Sequence, residues 1–260
     1  MLKNFDKNQN YFKFYKRKNI PIVFIHGVGL DHEMWLPQVK SFKNNSILVY
    51  DLLGHGKTPL IKKDVKFEDF SNQLNNLLNN LNIDKINLVG FSFGSLIAVN
   101  FVKRFQTKVN KLVLISTVYK RNNLEKISVR ERYKKAKKNI PISNLALNRW
   151  LSSKFIKLNP KVKKYILKTL NKNKEDHLNF LKSYKLFSYF KDYTKDIKKI
   201  KTPSLILTGT KDKGSTVNMS QNLSNELINS QFFKIKNAKH LCTIEYYSNV
   251  NMIIKKFLRT

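Results

Sequence analysis

The sequence predicts an α/β fold: a mostly parallel central sheet flanked by helices, with a helical lid inserted between two of its late strands. Three observations predict it. Short runs that are apolar at every position alternate with amphipathic helical stretches, the pattern of strands covered on both faces. One such run, Ile86 to Val89, passes through Gly90-Phe91-Ser92-Phe93-Gly94 straight into an apolar helical stretch. Residues 118–201 show helical spacings and no strand-like run. The expected division is a core of residues 1–117 and 202–260, with residues 118–201 as a lid removable from a foldable sheet.

The elements follow in order. Tyr11, Phe12, Phe14 and Tyr15 lie among lysines and predict an early edge strand or hairpin. Pro21 to Ile25 reads as a buried strand ending at His26-Gly27-Val28-Gly29. Met34, Trp35, Val39 and Phe42 recur at roughly helical spacing. Ser46 to Tyr50 is the next strand, ending at Asp51, and a glycine-rich loop runs from Leu52 to Pro59. Phe67, Phe70, Leu74, Leu77, Leu78 and Leu81 mark one face of a long helix. After the Ile86–Val89 strand and its helix comes Lys111 to Ser116, again a strand. Strands resume past the insertion at Ser204–Gly209 and Gln231–Ile235. A helix carrying Val250, Ile253, Ile254, Phe257 and Leu258 closes the chain.

The chemistry centres on Ser92. Gly90 and Gly94 flank it at minus two and plus two, as a sharp strand-to-helix turn requires, because bulk at either flank would clash. Such a turn lifts the hydroxyl above the sheet edge and turns the Phe93 N–H toward a developing oxyanion. A serine hydroxyl is a weak nucleophile near neutral pH and needs a base, which in turn needs an orienting acid. His240 follows the last strand and so sits on the same rim as Ser92. Asp212 follows the Ser204–Gly209 strand and is the expected acid; Asp51, also at a strand end, is the runner-up, with anchoring the Gly54–Gly56 loop as its other role. His26 is expected behind its loop and His55 in a backbone role, while His32 is read as lining a cleft mouth. Within the lid, Trp150 and Phe155 are the expected pocket residues. His26-Gly27-Val28-Gly29 offers the Val28 N–H as a second oxyanion donor. A dinucleotide fingerprint fails there, since His32 stands where the third glycine would be.

These residues resemble the α/β-hydrolase superfamily along essentially the whole chain. The stretch from His26 to Trp35 is similar to the oxyanion loop of small esterases and enol-lactonases, and Asp51 to Thr58 to the D-x-x-G-x-G-x-S segment. His240 with Glu245 and the closing Phe257-Leu258 resembles the C-terminal helix of that family. The departures are Ser95, where many members carry a second glycine, and Thr58 in place of serine. The nearest resemblance is to 3-oxoadipate enol-lactonase-like hydrolases and pimeloyl-carrier-protein methyl ester esterases. It implies an α/β-hydrolase fold and a triad in the chain order Ser92, Asp212, His240. It also implies two-step hydrolysis of an ester or lactone, with no metal or organic cofactor. A slow-turnover, receptor-like member is the competing reading.

Composition bounds the rest. One cysteine, Cys242, excludes an internal disulfide and a cysteine zinc site. Met1 to Lys18 lacks the apolar run of a signal peptide and no stretch is long enough to span a membrane, so a soluble cytoplasmic protein is expected. The net charge is +33. Tyr119 to Lys201 holds 25 basic and 6 acidic side chains, against 25 and 11 in the other 177 positions. No helix-turn-helix, zinc or RNA-binding pattern accompanies the charge, so nucleic acid is not an expected partner. A basic lid instead suits a carboxylate-bearing small substrate or an acidic acyl carrier protein.

Overall fold

Strands form where the sequence alternates between two buried faces. The computed structural model describes residues 1–60, 62–192 and 195–259. Among the described residues eight strands make one sheet: β1 (Leu2–Phe5), β2 (Tyr11–Tyr15), β3 (Ile22–Ile25), β4 (Ile47–Tyr50), β5 (Ile86–Phe91), β6 (Val109–Ile115), β7 (Ser204–Gly209) and β8 (Ser230–Ile235). Their order is β1-β2-β4-β3-β5-β6-β7-β8. The early aromatic segment is the expected hairpin. β1 and β2 pair antiparallel, β2 joins β4 antiparallel, and every other pairing is parallel.

Period-two alternation splits the core into two layers. Val23, Ile25, Leu48, Leu88, Leu112 and Ile206 pack on one side, against α2 (Phe67–Asn80), α3 (Phe93–Phe105) and α9 (Val217–Glu226). Ile22, Phe24, Val49, Val89, Val113 and Leu205 pack on the other, with residues of α10 (Cys242–Glu245) and α11 (Tyr247–Arg259). The Met34–Phe42 segment is not one helix. His32–Trp35 is a 3-10 turn capped by Asp31, and α1 (Leu36–Ser41) begins after it with Pro37 in its first turn.

Between β6 and β7 the described chain forms helices and no strand. These are α4 (Asn123–Lys137), α5 (Ser143–Trp150), α6 (Ser153–Leu158), α7 (Pro160–Leu170) and α8 (Lys174–Ser188). Asn122, Ser152 and Asn173 cap α4, α6 and α8 through side-chain oxygens, which fixes where those helices start. The segment is less separable than the sequence predicts. Leu147, Trp150, Leu151 and Ile166 belong to the same buried cluster as Phe24, Val89 and Leu205, so the insertion shares the core of the sheet. Among the described residues no helix is long and apolar enough to cross a membrane.

Candidate active site

Parallel strands deliver their C-terminal loops to one rim, and the crevice opens where the connections diverge. Here β3 pairs with β4 on one side and β5 on the other, so the loops after β3 and β5 face each other. Ser92 sits in the turn between β5 and α3 with φ 53° and ψ −114°, a left-handed backbone that serine adopts only under tertiary constraint. Its own N–H donates to the Ile115 carbonyl at 2.8 Å. The flanking glycines are required by contact. A Cβ on Gly94 would lie 2.4 Å from the Ile25 carbonyl oxygen, and one on Gly90 would lie 2.5 Å from that of Gly94. Ser95 ties the turn down, its hydroxyl donating to the Gly90 carbonyl at 2.7 Å and accepting from the Ile115 N–H at 3.2 Å. A glycine there would make neither bond.

Three side chains from three loops meet at this turn. The His240 Nε2 lies 3.1 Å from the Ser92 Oγ, and its Nδ1 lies 2.7 Å from the Asp212 Oδ2. A carboxylate only accepts, so Nδ1 carries the proton and Nε2 is left to accept from the serine hydroxyl. Asp212 is buried, and its other oxygen accepts the N–H groups of Gly214 at 2.8 Å and Ser215 at 3.0 Å. Burial alone would raise its pKa. The charge and hydrogen bond of His240, with those two amides, outweigh burial and hold it below the usual carboxylate range. The Ser116 hydroxyl donates to the His240 carbonyl at 3.0 Å and fixes the loop from behind. The ring of Phe91 stands 5.0 Å from that of His240 and the ring of Trp150 stands 6.2 Å away, forming an apolar wall.

A cavity of about 900 Å³, counting its open mouth, lies over Ser92 and His240. Val28 lines it, and Phe93 opens α3 beside Ser92. Among the described residues, neither of their backbone N–H groups has a hydrogen-bond partner. Trp150, one of the three expected pocket residues, lines the cavity. Two expected pocket residues do not. His32 is buried away from the cavity, with its backbone N–H and its Nδ1–H both donating to the Asp51 Oδ1, at 2.8 and 2.7 Å. Phe155 packs against the core cluster instead, because α6 runs outside the cavity wall.

Asp51 also accepts the Lys57 N–H at 2.9 Å, and a Cβ on Gly56 would sit 2.2 Å from its carboxylate. It therefore anchors the Gly54–Gly56 loop and has no contact with His240. Burial acts to raise its pKa, and the His32 hydrogen bond and charge win to lower it. His26 accepts from the Leu52 N–H at 3.0 Å and donates to its neighbour Gly27, behind the loop as expected. Burial pushes the Cys242 thiol up to about 12, which leaves it inert at neutral pH.

The sequence reading missed Arg121, Arg132 and Arg149, all of which line this cavity together with Lys135. No motif marks them, and the surrounding segment is rich in cations throughout.

Residues 20–245 match the family model described as alpha/beta hydrolase fold, and the chain belongs to that family. It is 27% identical over 259 residues to the (E)-2-((N-methylformamido)methylene)succinate hydrolase of Acinetobacter baylyi, covering 97% of this chain and 95% of that protein. It is 22% identical to the 3-oxoadipate enol-lactonase 2 of the same organism, covering 95% and 93%. The crystal structure of the enol-lactonase from Burkholderia xenovorans LB400 superposes with a TM-score of 0.87 at 23% identity, covering 97% of this chain and 98% of that one.

Proposed function

We propose that this protein is a serine hydrolase that cleaves a carboxylic ester or lactone through an acyl-enzyme. One observation carries the reading: a single imidazole contacts the Ser92 hydroxyl and the Asp212 carboxylate at hydrogen-bond distances. His240 takes the hydroxyl proton as the Ser92 oxygen attacks the acyl carbon. The Val28 and Phe93 N–H groups hold the oxyanion, helped by the positive end of α3. Collapse expels the alkoxide, which takes the proton back from His240; for a lactone it stays tethered to the acyl group. Water, deprotonated by the same imidazole, then releases the acid and restores the serine. Asp212 orients His240 and stabilises its cation. Residues 118–201 act as a lid whose inner face shapes the acyl pocket. Relatives named as hydrolases and enol-lactonases agree with the reaction class.

The test is turnover of p-nitrophenyl acetate and butyrate by purified protein. A burst of p-nitrophenol of about one equivalent, followed by slower steady release, supports an acyl-enzyme. Undiminished hydrolysis by the Ser92→Ala protein removes the mechanism.

One surface feature favours a second reading. Lys134, Lys137 and Lys138 are exposed at the end of α4, the helix that also sends Arg132 and Lys135 to the cavity. An acidic acyl carrier protein docked there would present its ester to Ser92. Such docking weakens as salt shortens the Debye length to about 8 Å and below. An advantage of carrier methyl ester over free methyl ester at low salt, lost at high salt, supports it.

A further inference from the structure

The cavity over Ser92 has a charge that its walls do not explain. Arg121 comes from the loop after β6, Arg132 from α4 and Arg149 from α5, and all three line the same space as His240. Among the described residues none of them forms an ion pair. Arg121 is 5% exposed; it donates to the Phe187 carbonyl at 2.8 Å, and its guanidinium carbon lies 4.4 Å from the centre of the Phe187 ring. Arg132 donates to the Ser128 hydroxyl, and its buried Nε has no partner. Among the described residues the Arg149 side chain forms no hydrogen bond. The acids whose charges reach these arginines are committed elsewhere: Glu125 closes the N-terminal cap of α4, Asp192 accepts the Lys120 N–H, and Asp212 accepts the His240 Nδ1–H.

Gathering these cations around one cavity is costly. Burial first, and then the nearby charge of Arg132, bring the guanidinium groups of Arg121 and Arg149 down to about 10. Arg121 is buried and Arg132 and Arg149 are half-buried; a desolvated cation without a counter-charge destabilises a fold, and like charges in one cavity add to that. Planar guanidinium forks are the side chains best matched to carboxylates, which they bind through two parallel hydrogen bonds. Between the arginines and Ser92, Leu30, Ile142, Ala146 and Phe180 supply apolar wall that suits a short hydrocarbon spacer, and Lys135 adds a fourth cation to the lining.

Resting on the hydrolase reading above, we propose that the substrate is a half-ester or lactone of a di- or tricarboxylic acid. Its ester lies at Ser92 and its free carboxylate is gripped by Arg121, Arg132 and Arg149. The arginines select substrate by charge and do not touch the reacting atoms.

The test compares monomethyl glutarate with dimethyl glutarate, which differ by one ionised carboxylate. The wild-type protein should favour the monoester in kcat/KM by at least about 100-fold, the worth of one or two charged hydrogen bonds. Arg149→Gln and Arg132→Gln should each shrink that ratio about tenfold or more, chiefly through the KM of the monoester, and Arg149→Lys should restore part of it. Lys43→Gln, exposed and outside the cavity, should leave the ratio unchanged. Binding is read separately in the Ser92→Ala protein, where glutarate should raise the Tm and inorganic phosphate should raise it less. That rise should vanish when Arg149→Gln is added. A ratio near one in an active wild-type protein overturns the carboxylate assignment and leaves the hydrolase reading standing. No turnover of either ester, with arginine-dependent glutarate binding intact, overturns the hydrolase reading and supports the carboxylate site. Phosphate binding tighter than glutarate overturns the choice of carboxylate.

Discussion

The Leu241 N–H donates to the Trp150 carbonyl at 3.0 Å, so the end of α5 is hydrogen-bonded to the residue after His240. The helical insertion therefore helps hold the imidazole, besides walling the cavity. Trp150→Ala should cost about 3–5 kcal/mol of stability, as large-to-small changes at buried aromatics do. Removing residues 123–188 should abolish turnover and expose the apolar face that Leu147, Leu151 and Ile166 cover. Thermal unfolding and ester assays of both variants check this. A deletion protein that keeps wild-type turnover would show the insertion to be dispensable.

Strain at Ser92 gives a second prediction. A non-glycine residue held at positive φ costs on the order of 1–3 kcal/mol, which glycine does not incur. Ser92→Gly should be inactive yet more stable, with a Tm higher by roughly 2–4 °C per kcal/mol released. An inactive variant with a lowered Tm would mean that the turn is not strained.

Asp212 sets a third, in pH. Its carboxyl titrates below the ordinary value near 3.9 in the folded state. The stabilisation is fully present above that ordinary value and is lost as pH falls through the depressed one. Asp51 behaves in the same way. Acid unfolding should therefore steepen below about pH 4, and Asp212→Asn should flatten part of that slope. The same variant should lower kcat by about 10⁴, because an amide no longer holds the Nδ1–H tautomer. Stability curves from pH 2 to 7, with kcat near neutrality, test both halves.

Much of this architecture was legible because burial on both faces of a strand leaves an unbroken apolar run. Ile22–Ile25, Ile47–Tyr50 and Ser204–Gly209 could be read that way. Ser92 was legible because Gly90 and Gly94 have no alternative: each sits against backbone where a Cβ cannot fit. His240 and Asp212 followed from strand ends sharing a rim. His32 was misplaced because a loop histidine's direction depends on a distant partner, and Asp51 claims it on the far side of the rim. Phe155 was misplaced because helical spacing shows which residues share a face but not what that face meets. The arginines were illegible for a related reason. Their convergence on one cavity brings together the loop after β6, α4 and α5, and the spacing of cations along any one of these carries no trace of it.

The most direct test of the account is covalent. Protein treated with a fluorophosphonate probe should gain one adduct by intact mass, and peptide mapping should place it on Ser92. Labelling should disappear in Ser92→Ala and slow by orders of magnitude in His240→Ala, while circular dichroism shows both folds retained. An adduct on another residue, or undiminished labelling of the Ser92→Ala protein, would contradict the assignment of Ser92, His240 and Asp212 as the catalytic unit.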